Sequence, residues 1–441
     1  MYENLFDRRT LLRGAGVLGA AALAPWGSAC GNPDEHTLTF FFAANPEEAD
    51  ARRRVIAEFG RLHPDIPVRI VLSGPDPVQQ MSTFCAGGRC PDVLMAWELT
   101  YASLADRGVL LDLNTLAAKD PDFASQLKAD SIPSLYDTFA FKGGQYAFPE
   151  QWSGNFLFYN RALFAGAGVR PPPASWEQPW SFTEFLDAAK ALTKRDRAGK
   201  VSQWGFVETW VPTYSAGLFA MNNGAQWCVP RTNPTHLNFN DDAFLEGVQF
   251  YADLAARHRV SPTAIDAQSM STMDLFAAGK AAMALAGHWR FQSFARSDGL
   301  DFDVTALPVG PRGTHACSNI GTTGLAIAAA SRHKDQAWEF IKFATGPVGQ
   351  ALIADTGLFV PALNPALKSA GFALAHKRIR NLAVLTGGPA RSGYLPITPC
   401  WNKIDALMDR SFGPVLRGTQ PATSLKTRLS GQVDAILAGG A

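Results

Sequence analysis

The sequence predicts an α/β protein built as two lobes, and two observations carry that prediction. Between residues 38 and 108, short apolar runs alternate with helical patterns in the order β-α-β-α-β, which implies a parallel sheet with helices on its faces. The chain has 441 residues, more than one ordinary core accommodates.

Residues 1–29 are expected to be an export signal rather than fold. Arg8-Arg9 followed by Thr10-Leu11-Leu12-Arg13 is close to a twin-arginine signal. The apolar run Ala15 to Ala29 is too short to span a bilayer comfortably. It ends in Gly27-Ser28-Ala29-Cys30, small residues before a cysteine, as in a lipobox where Cys30 is acylated and becomes the new N-terminus. Gly27 stands where such a box usually carries Leu, and the alternative is ordinary cleavage that leaves Cys30 a spare thiol. Residues 30–36 follow as a tether. Gly14 to Gly19 fits G-x-G-x-x-G, but no strand precedes it and export removes it, so the match is chance.

Leu38 to Phe42 is the first strand. Glu47 to Leu62 is a helix with Val55, Phe59 and Leu62 on its apolar face, stopped by His63-Pro64. Pro67 to Leu72 is the second strand, Ser73 to Phe84 loop and helix, Pro91 to Ala96 the third strand, and Tyr101 to Arg107 a helix ended by Gly108. Ligands of such sheets sit beyond the strand C-termini. Those ends are Ala43-Ala44-Asn45, Ser73-Gly74 and Trp97-Glu98, with Asn45 the polar contact of the first.

Asn155 to Asn160 is another strand. Ser181-Phe182-Thr183-Glu184 opens a helix as a capping box, and helices are expected to continue to about Arg259. Leu275 to Trp289 reads LFAAGKAAMALAGHW: a helix stopped by Gly279, a buried strand Ala281 to Ala286 and a turn at Gly287. It is no phosphate loop, because Asp274 and Ala281 occupy the positions that need Gly and Ser or Thr. Phe302 to Pro308 and Thr323 to Ala328 are strands. Lys334 to Phe343, Pro399 to Leu416 and Pro421 to Leu437 are helices.

The net charge is +1, and loss of residues 1–29 leaves 37 basic and 37 acidic side chains, so nucleic acid is not an expected partner. Eleven Trp are many for this length and point to cleft or exposed positions for some of them. Cys85 and Cys90 bracket a Gly-rich turn, CAGGRC, and export to an oxidising compartment makes a local disulfide the expectation. Spacing does not pair Cys228, Cys317 and Cys400. No His stands at ligand spacing from a cysteine pair, so neither a metal nor a cofactor is expected.

Five stretches carry a family resemblance, in order along the chain: PDVLMAWELTYASLADRGVLLDL (91–113), YAFPEQWSGNFLFYN (146–160), LFAAGKAAMALAGHW (275–289), IGTTGLAIAAASRHKDQAWEFIKFAT (320–345) and TGLFVPAL (356–363). The chain resembles the substrate-binding lipoproteins of carbohydrate ABC importers, extracellular solute-binding protein family 1, of the maltose- and glycerol-3-phosphate-binding type. Within that family it is most similar to the amino-sugar-binding lipoproteins of actinobacteria. The resemblance implies the two-lobe periplasmic-binding-protein fold of class II, a monomer with a sugar cleft between the lobes and three hinge crossings. The crossings are expected near Phe148-Pro149, Ala306-Pro308 and Phe359-Pro361, since Pro suits a stiff extended link. Lobe 1 is then 37–148 with 308–358, and lobe 2 is 149–307 with 359–441.

The resemblance also implies the ligand-binding residues. Trp289 presents its face to a pyranose ring, the alternative being a core residue. Glu98 accepts from two hydroxyls or pairs with an ammonium, beside a second platform, Trp97. Gln151, Trp152 and Ser153 line the cleft from EQWSGN, and Trp210 and Tyr214 from ETWVPTYSAG, where Glu208 is a weaker candidate. Asn319, Gly321 and Thr322 form a tight turn whose Gly permits close approach. Arg391 reaches the cleft from GGPARSGY, or else is a surface arginine. The lobes are expected to close on a sugar and deliver it to membrane permease subunits driven by ATPase subunits. A lone acid beside an aromatic favours an amino sugar. The rival is an exported glycosidase-like enzyme using Glu98 and Glu208, but no catalytic motif such as G-x-S-x-G or H-E-x-x-H accompanies them.

Overall fold

A computed structural model describes residues 37–439 apart from Asn45, Pro75, Asp76 and Ser269. The expected export signal, Cys30 and Asn45 therefore lie outside the described residues. Among those that are described, no helix is long and apolar enough to cross a membrane.

Two sheets organise residues 38 onward. The first runs Val360–Pro361, Phe148–Trp152, Thr322–Ile327, Val93–Trp97, Leu38–Phe42, Val68–Leu72. Leu38–Phe42 pairs parallel with Val68–Leu72 and with Val93–Trp97, as the opening alternation implies. The remaining pairings are antiparallel, so the sheet is mixed rather than parallel throughout. Both faces are covered. Phe40 and Phe42 pack into one core cluster and Phe41 into the other, the period-two alternation of a strand buried on both sides. Each such Phe contributes roughly 1.5–3 kcal/mol through burial.

The second sheet runs Phe302–Thr305, Asn155–Asn160, Ala281–Gly287, Val201–Glu208, Lys194–Arg195. Ala281–Gly287 is buried at every position and lies antiparallel to Asn155–Asn160 and parallel to Val201–Glu208. The helix before it, Thr272–Ala277, stops ahead of Gly279, whose φ of 68° is a left-handed value that favours Gly. Val201–Glu208 corrects the expectation of helices alone up to about Arg259. Gly205 is the reason it fits. A Cβ there would lie 1.9 Å from the Ala189 carbonyl oxygen, so the helix Phe182–Leu192 rests directly on this strand. That helix opens with the expected capping box: Ser181 accepts from Glu184 N–H, and the Glu184 carboxylate accepts from Ser181 N–H.

The expected crossings at Phe148-Pro149 and Phe359-Pro361 fall inside the first sheet. Pro149 sits where the pairing to Thr322–Ile327 shifts register, and Pro361 lies on the edge strand, two places where a missing N–H costs no ladder bond. Beyond Ala306-Pro308 the chain stays with the second sheet, since Val309 N–H donates to the Trp180 carbonyl. Cys85 and Cys90 are joined as a disulfide. Cys228, Cys317 and Cys400 are buried free thiols, and burial pushes the Cys317 thiol up to about 12.

Candidate functional site

A cleft of about 520 Å³ opens where the first sheet's strand ends meet the turns of the second. Ala43, Ala44, Ser73, Gly74, Trp97 and Glu98 reach it from the C-terminal ends of the three parallel strands, as expected of a sheet of this kind. Gln151, Ser153, Asn319, Gly321 and Thr322 form its floor. Trp210 and Trp289 enter from the loops after Val201–Glu208 and Ala281–Gly287. The cleft thus brings together nine of the expected residues: Trp97, Glu98, Gln151, Ser153, Trp210, Trp289, Asn319, Gly321 and Thr322.

Three expected residues stand elsewhere. Trp152 is fully buried in the core and its indole N–H donates to Ser392 Oγ at 3.1 Å. The strand pleat explains this, because its neighbours Gln151 and Ser153 take the cleft side. Tyr214 stands behind Trp210, with ring centroids 5.4 Å apart, and donates its hydroxyl to Asp405 at 2.7 Å. Arg391 pairs with Glu177 near the Trp176 ring and does not line the cleft.

Sequence reading missed Arg52, Glu150 and Thr323. Arg52 donates through Nη2 to Glu150 Oε2 at 2.8 Å, and both side chains are nearly sealed from solvent. Thr323 Oγ1 donates to the same Glu150 oxygen at 3.3 Å and accepts from Gln151 Nε2 at 2.9 Å. This chain of bonds orients the Gln151 amide. Its NH₂ is engaged, and its Oε1 is left as a buried acceptor with no partner among the described residues. Ser153 Oγ is likewise unpartnered, while Ser153 N–H donates to the Gly321 carbonyl. Buried polar atoms without partners cost about 1–3 kcal/mol each, so the floor is built for a hydrogen-bonding ligand. Arg52 had one readable signal, a lone charge on the buried face of an amphipathic helix.

The walls are aromatic and positioned by local sequence. Trp289 folds back on Gly287, where a Cβ would lie 1.7 Å from the ring. Gly321 has φ 39°, and a Cβ there would press on Asn319 Nδ2 at 2.8 Å. Asn319 Oδ1 accepts from Asn155 N–H and Nδ2 at 2.9 and 2.8 Å, which ties the floor to the second sheet.

Two carboxyls are raised. Burial pushes Glu98 up to about 7, against the lowering effect of N–H groups at Glu98 and Thr322. Burial pushes Glu208 up to about 8, opposed by bonds from Trp210 N–H and Ser215 Oγ. Glu208 does not line the cleft. Its carboxyl group holds the Trp210 loop, so a pair of acids facing each other across a sugar is not formed. Among the described residues no group of three or more His, Cys, Asp or Glu is placed to hold a metal ion.

The family of bacterial extracellular solute-binding proteins matches residues 43–351. The mannitol-binding protein of Pseudomonas aeruginosa is 28% identical over 336 residues, 72% of this chain and 71% of that protein. The ABC substrate-binding protein Lmo0181 of Listeria monocytogenes, solved in complex with cycloalternan, superposes with a TM-score of 0.79 at 24% identity, over 92% of this chain and 99% of that one. The crystal structure of M. tuberculosis UspC superposes with a TM-score of 0.67 at 23% identity, over 91% and 100%. These likenesses establish the two-lobe fold of solute-binding proteins.

Proposed function

This chain belongs to the bacterial extracellular solute-binding proteins, and on that premise we propose that its cleft captures a carbohydrate or related polyol for an ABC importer. One observation carries the reading: the unpartnered Gln151 Oε1 and Ser153 Oγ lie on the floor of a cleft walled by Trp97, Trp210 and Trp289. Sugars and polyols bring hydroxyls for the floor, and sugar rings bring C–H faces for the indoles. The mannitol-binding relative supports that ligand class. Binding without turnover is the fitting role, because Glu208 is committed to the Trp210 loop.

In this reading the lobes hinge where the chain passes between the sheets, at Ser153-Gly154 and Asn319-Gly321, and the closed form docks on the permease subunits in the membrane. Cys30 carries the lipid that holds the protein to the outer face of that membrane, so Cys30→Ala frees it from the membrane fraction. Glu98, which lines the cleft together with Glu48, accepts an amine, which gives an amino sugar the advantage over its hydroxyl counterpart.

A thermal-shift screen of the mature protein against sugars, polyols and amino sugars tests this, since a ligand of the folded state raises the melting temperature. Glucosamine- and glucose-type ligands of equal length are then compared on wild type and Glu98→Gln. A flat screen overturns the ligand class. Equal affinities on wild type overturn the amine preference alone.

A further inference from the structure

His288, next to Trp289 at the end of Ala281–Gly287, is fully buried and faces His376, equally buried at the end of the helix Ala370–Ala375. Their Nε2 atoms are 2.8 Å apart. His288 Nδ1 lies 3.0 Å from the Leu358 carbonyl oxygen, and His376 Nδ1 lies 2.8 Å from the Phe372 carbonyl oxygen. A carbonyl oxygen only accepts, so each Nδ1 carries a proton. A neutral imidazole then has no proton left for Nε2. Two neutral rings would set two lone pairs against each other at hydrogen-bond distance, whereas one added proton satisfies all three contacts. A second would set two N–H groups against each other.

We propose that His288 and His376 form a proton-operated clasp: one proton taken up between their Nε2 atoms ties the turn carrying Trp289 to the end of the helix Ala370–Ala375. The two sides are carried by different sheets. His288 directly follows a strand of the second, and the helix Ala370–Ala375 packs on Pro347–Thr356, which lies against the edge strand Val360–Pro361 of the first. The clasp rests on the reading of Trp289 as a cleft wall and names a regulator of that site.

The surroundings set its range. Burial disfavours charge on both rings, holding His288 well below its usual value and His376 at about 4. Phe291 and Phe372 oppose this, with ring centroids 4.6 and 4.1 Å from His376, where aromatic faces stabilise an imidazolium. The charged groups on the packed elements are Arg290, Arg296, Asp355, Lys377 and Arg378. Arg378 is taken up by the Ala295 and Leu300 carbonyls and Arg296 by Glu47. The strand Ala281–Gly287 and the helix Ala370–Ala375 bring no charge. The clasp is therefore open at neutral pH and closes as the solution turns acid.

Two ligand-free measurements test it. Imidazole ¹⁵N spectra of the wild-type protein are recorded from pH 7.5 to 3.5. Three protonated nitrogens shared by His288 and His376 at the acid end, with both Nδ1 protonated throughout, are expected. One ring in the Nε2–H tautomer at every pH overturns the proposal. The protein is also labelled with 5-fluorotryptophan, and the Trp289 signal is assigned with Trp289→Phe. That signal is expected to titrate with the pair in wild type and to stay flat in His376→Gln, whose amide donates to His288 Nε2 without an added proton. A Trp289 signal independent of the pair's titration overturns the coupling. Neither measurement uses a sugar, so both outcomes stand apart from the choice of ligand.

Discussion

The indole of Trp289 lies directly against the backbone of Gly287, so close that a methyl group there would sit 1.7 Å from a ring carbon. The aromatic wall of the cleft is therefore set by the absence of a side chain two residues earlier. Gly287→Ala is expected to swing Trp289 off its position and weaken ligand binding about tenfold or more, with little loss of stability. Gly287 has φ −76°, which Ala adopts without strain. Titration calorimetry on the variant decides this, and unchanged affinity counts against it.

Trp289→Ala should cost about 1–3 kcal/mol of binding, or roughly ten- to hundredfold in affinity, for a ligand recovered from the thermal-shift screen. The melting temperature without ligand should hardly move, since Trp289 faces the cleft. Wild-type affinity in this variant would remove Trp289 from the binding wall.

Arg52 and Glu150 are sealed together beneath the cleft floor. Removing one partner leaves the other charge buried alone, a loss of about 3–5 kcal/mol. Arg52→Ala is expected to unfold at clearly lower denaturant, and Glu150→Gln to do so while also releasing Thr323 and the Gln151 amide. A shift below about 1 kcal/mol in both variants would mean that solvent reaches the pair.

Glu208 predicts a dependence on alkaline pH. Its folded carboxyl keeps a proton up to about 8, whereas an unfolded glutamate releases it near pH 4.3. Between those values the folded state binds more protons, so stability falls as pH rises through that window and then levels off. Glu208→Gln keeps an acceptor for Trp210 N–H and removes the ionisation. The drop in unfolding free energy from pH 5 to pH 9 should shrink in this variant, on the order of 3 kcal/mol after allowing for partial solvation. Parallel pH profiles for the two proteins would refute the assignment.

The buried imidazoles act in the opposite direction. Both His288 and His376 have lowered values, so the unfolded chain takes up protons first as pH falls below about 6.5, and stability declines from there toward about pH 4. His376→Gln should flatten that acid limb in chemical denaturation, and an unaltered limb would assign it to other groups.

The sequence by itself determined the local elements and the side of the sheet that faces the ligand. Apolar runs such as Leu38–Phe42 and Ala281–Gly287, punctuated by Gly108, Gly279 and a Ser181 capping box, state their geometry through periodicity and backbone freedom, which are local properties. Parallel strand ends then put Trp97-Glu98 and Ser73-Gly74 at the cleft. Tertiary structure alone decided which neighbours of those residues join them. In Gln151-Trp152-Ser153 the pleat turns the middle residue into the core, because register is settled by pairing with a strand some 170 residues away. Val201–Glu208 became a strand because Gly205 lets a helix rest on it. The Arg52–Glu150–Thr323–Gln151 chain and the His288–His376 pair join residues from 88 to 173 positions apart. No sequence window records them, since long-range contacts between polar groups are fixed only once the elements that carry them have packed and water has been excluded between them.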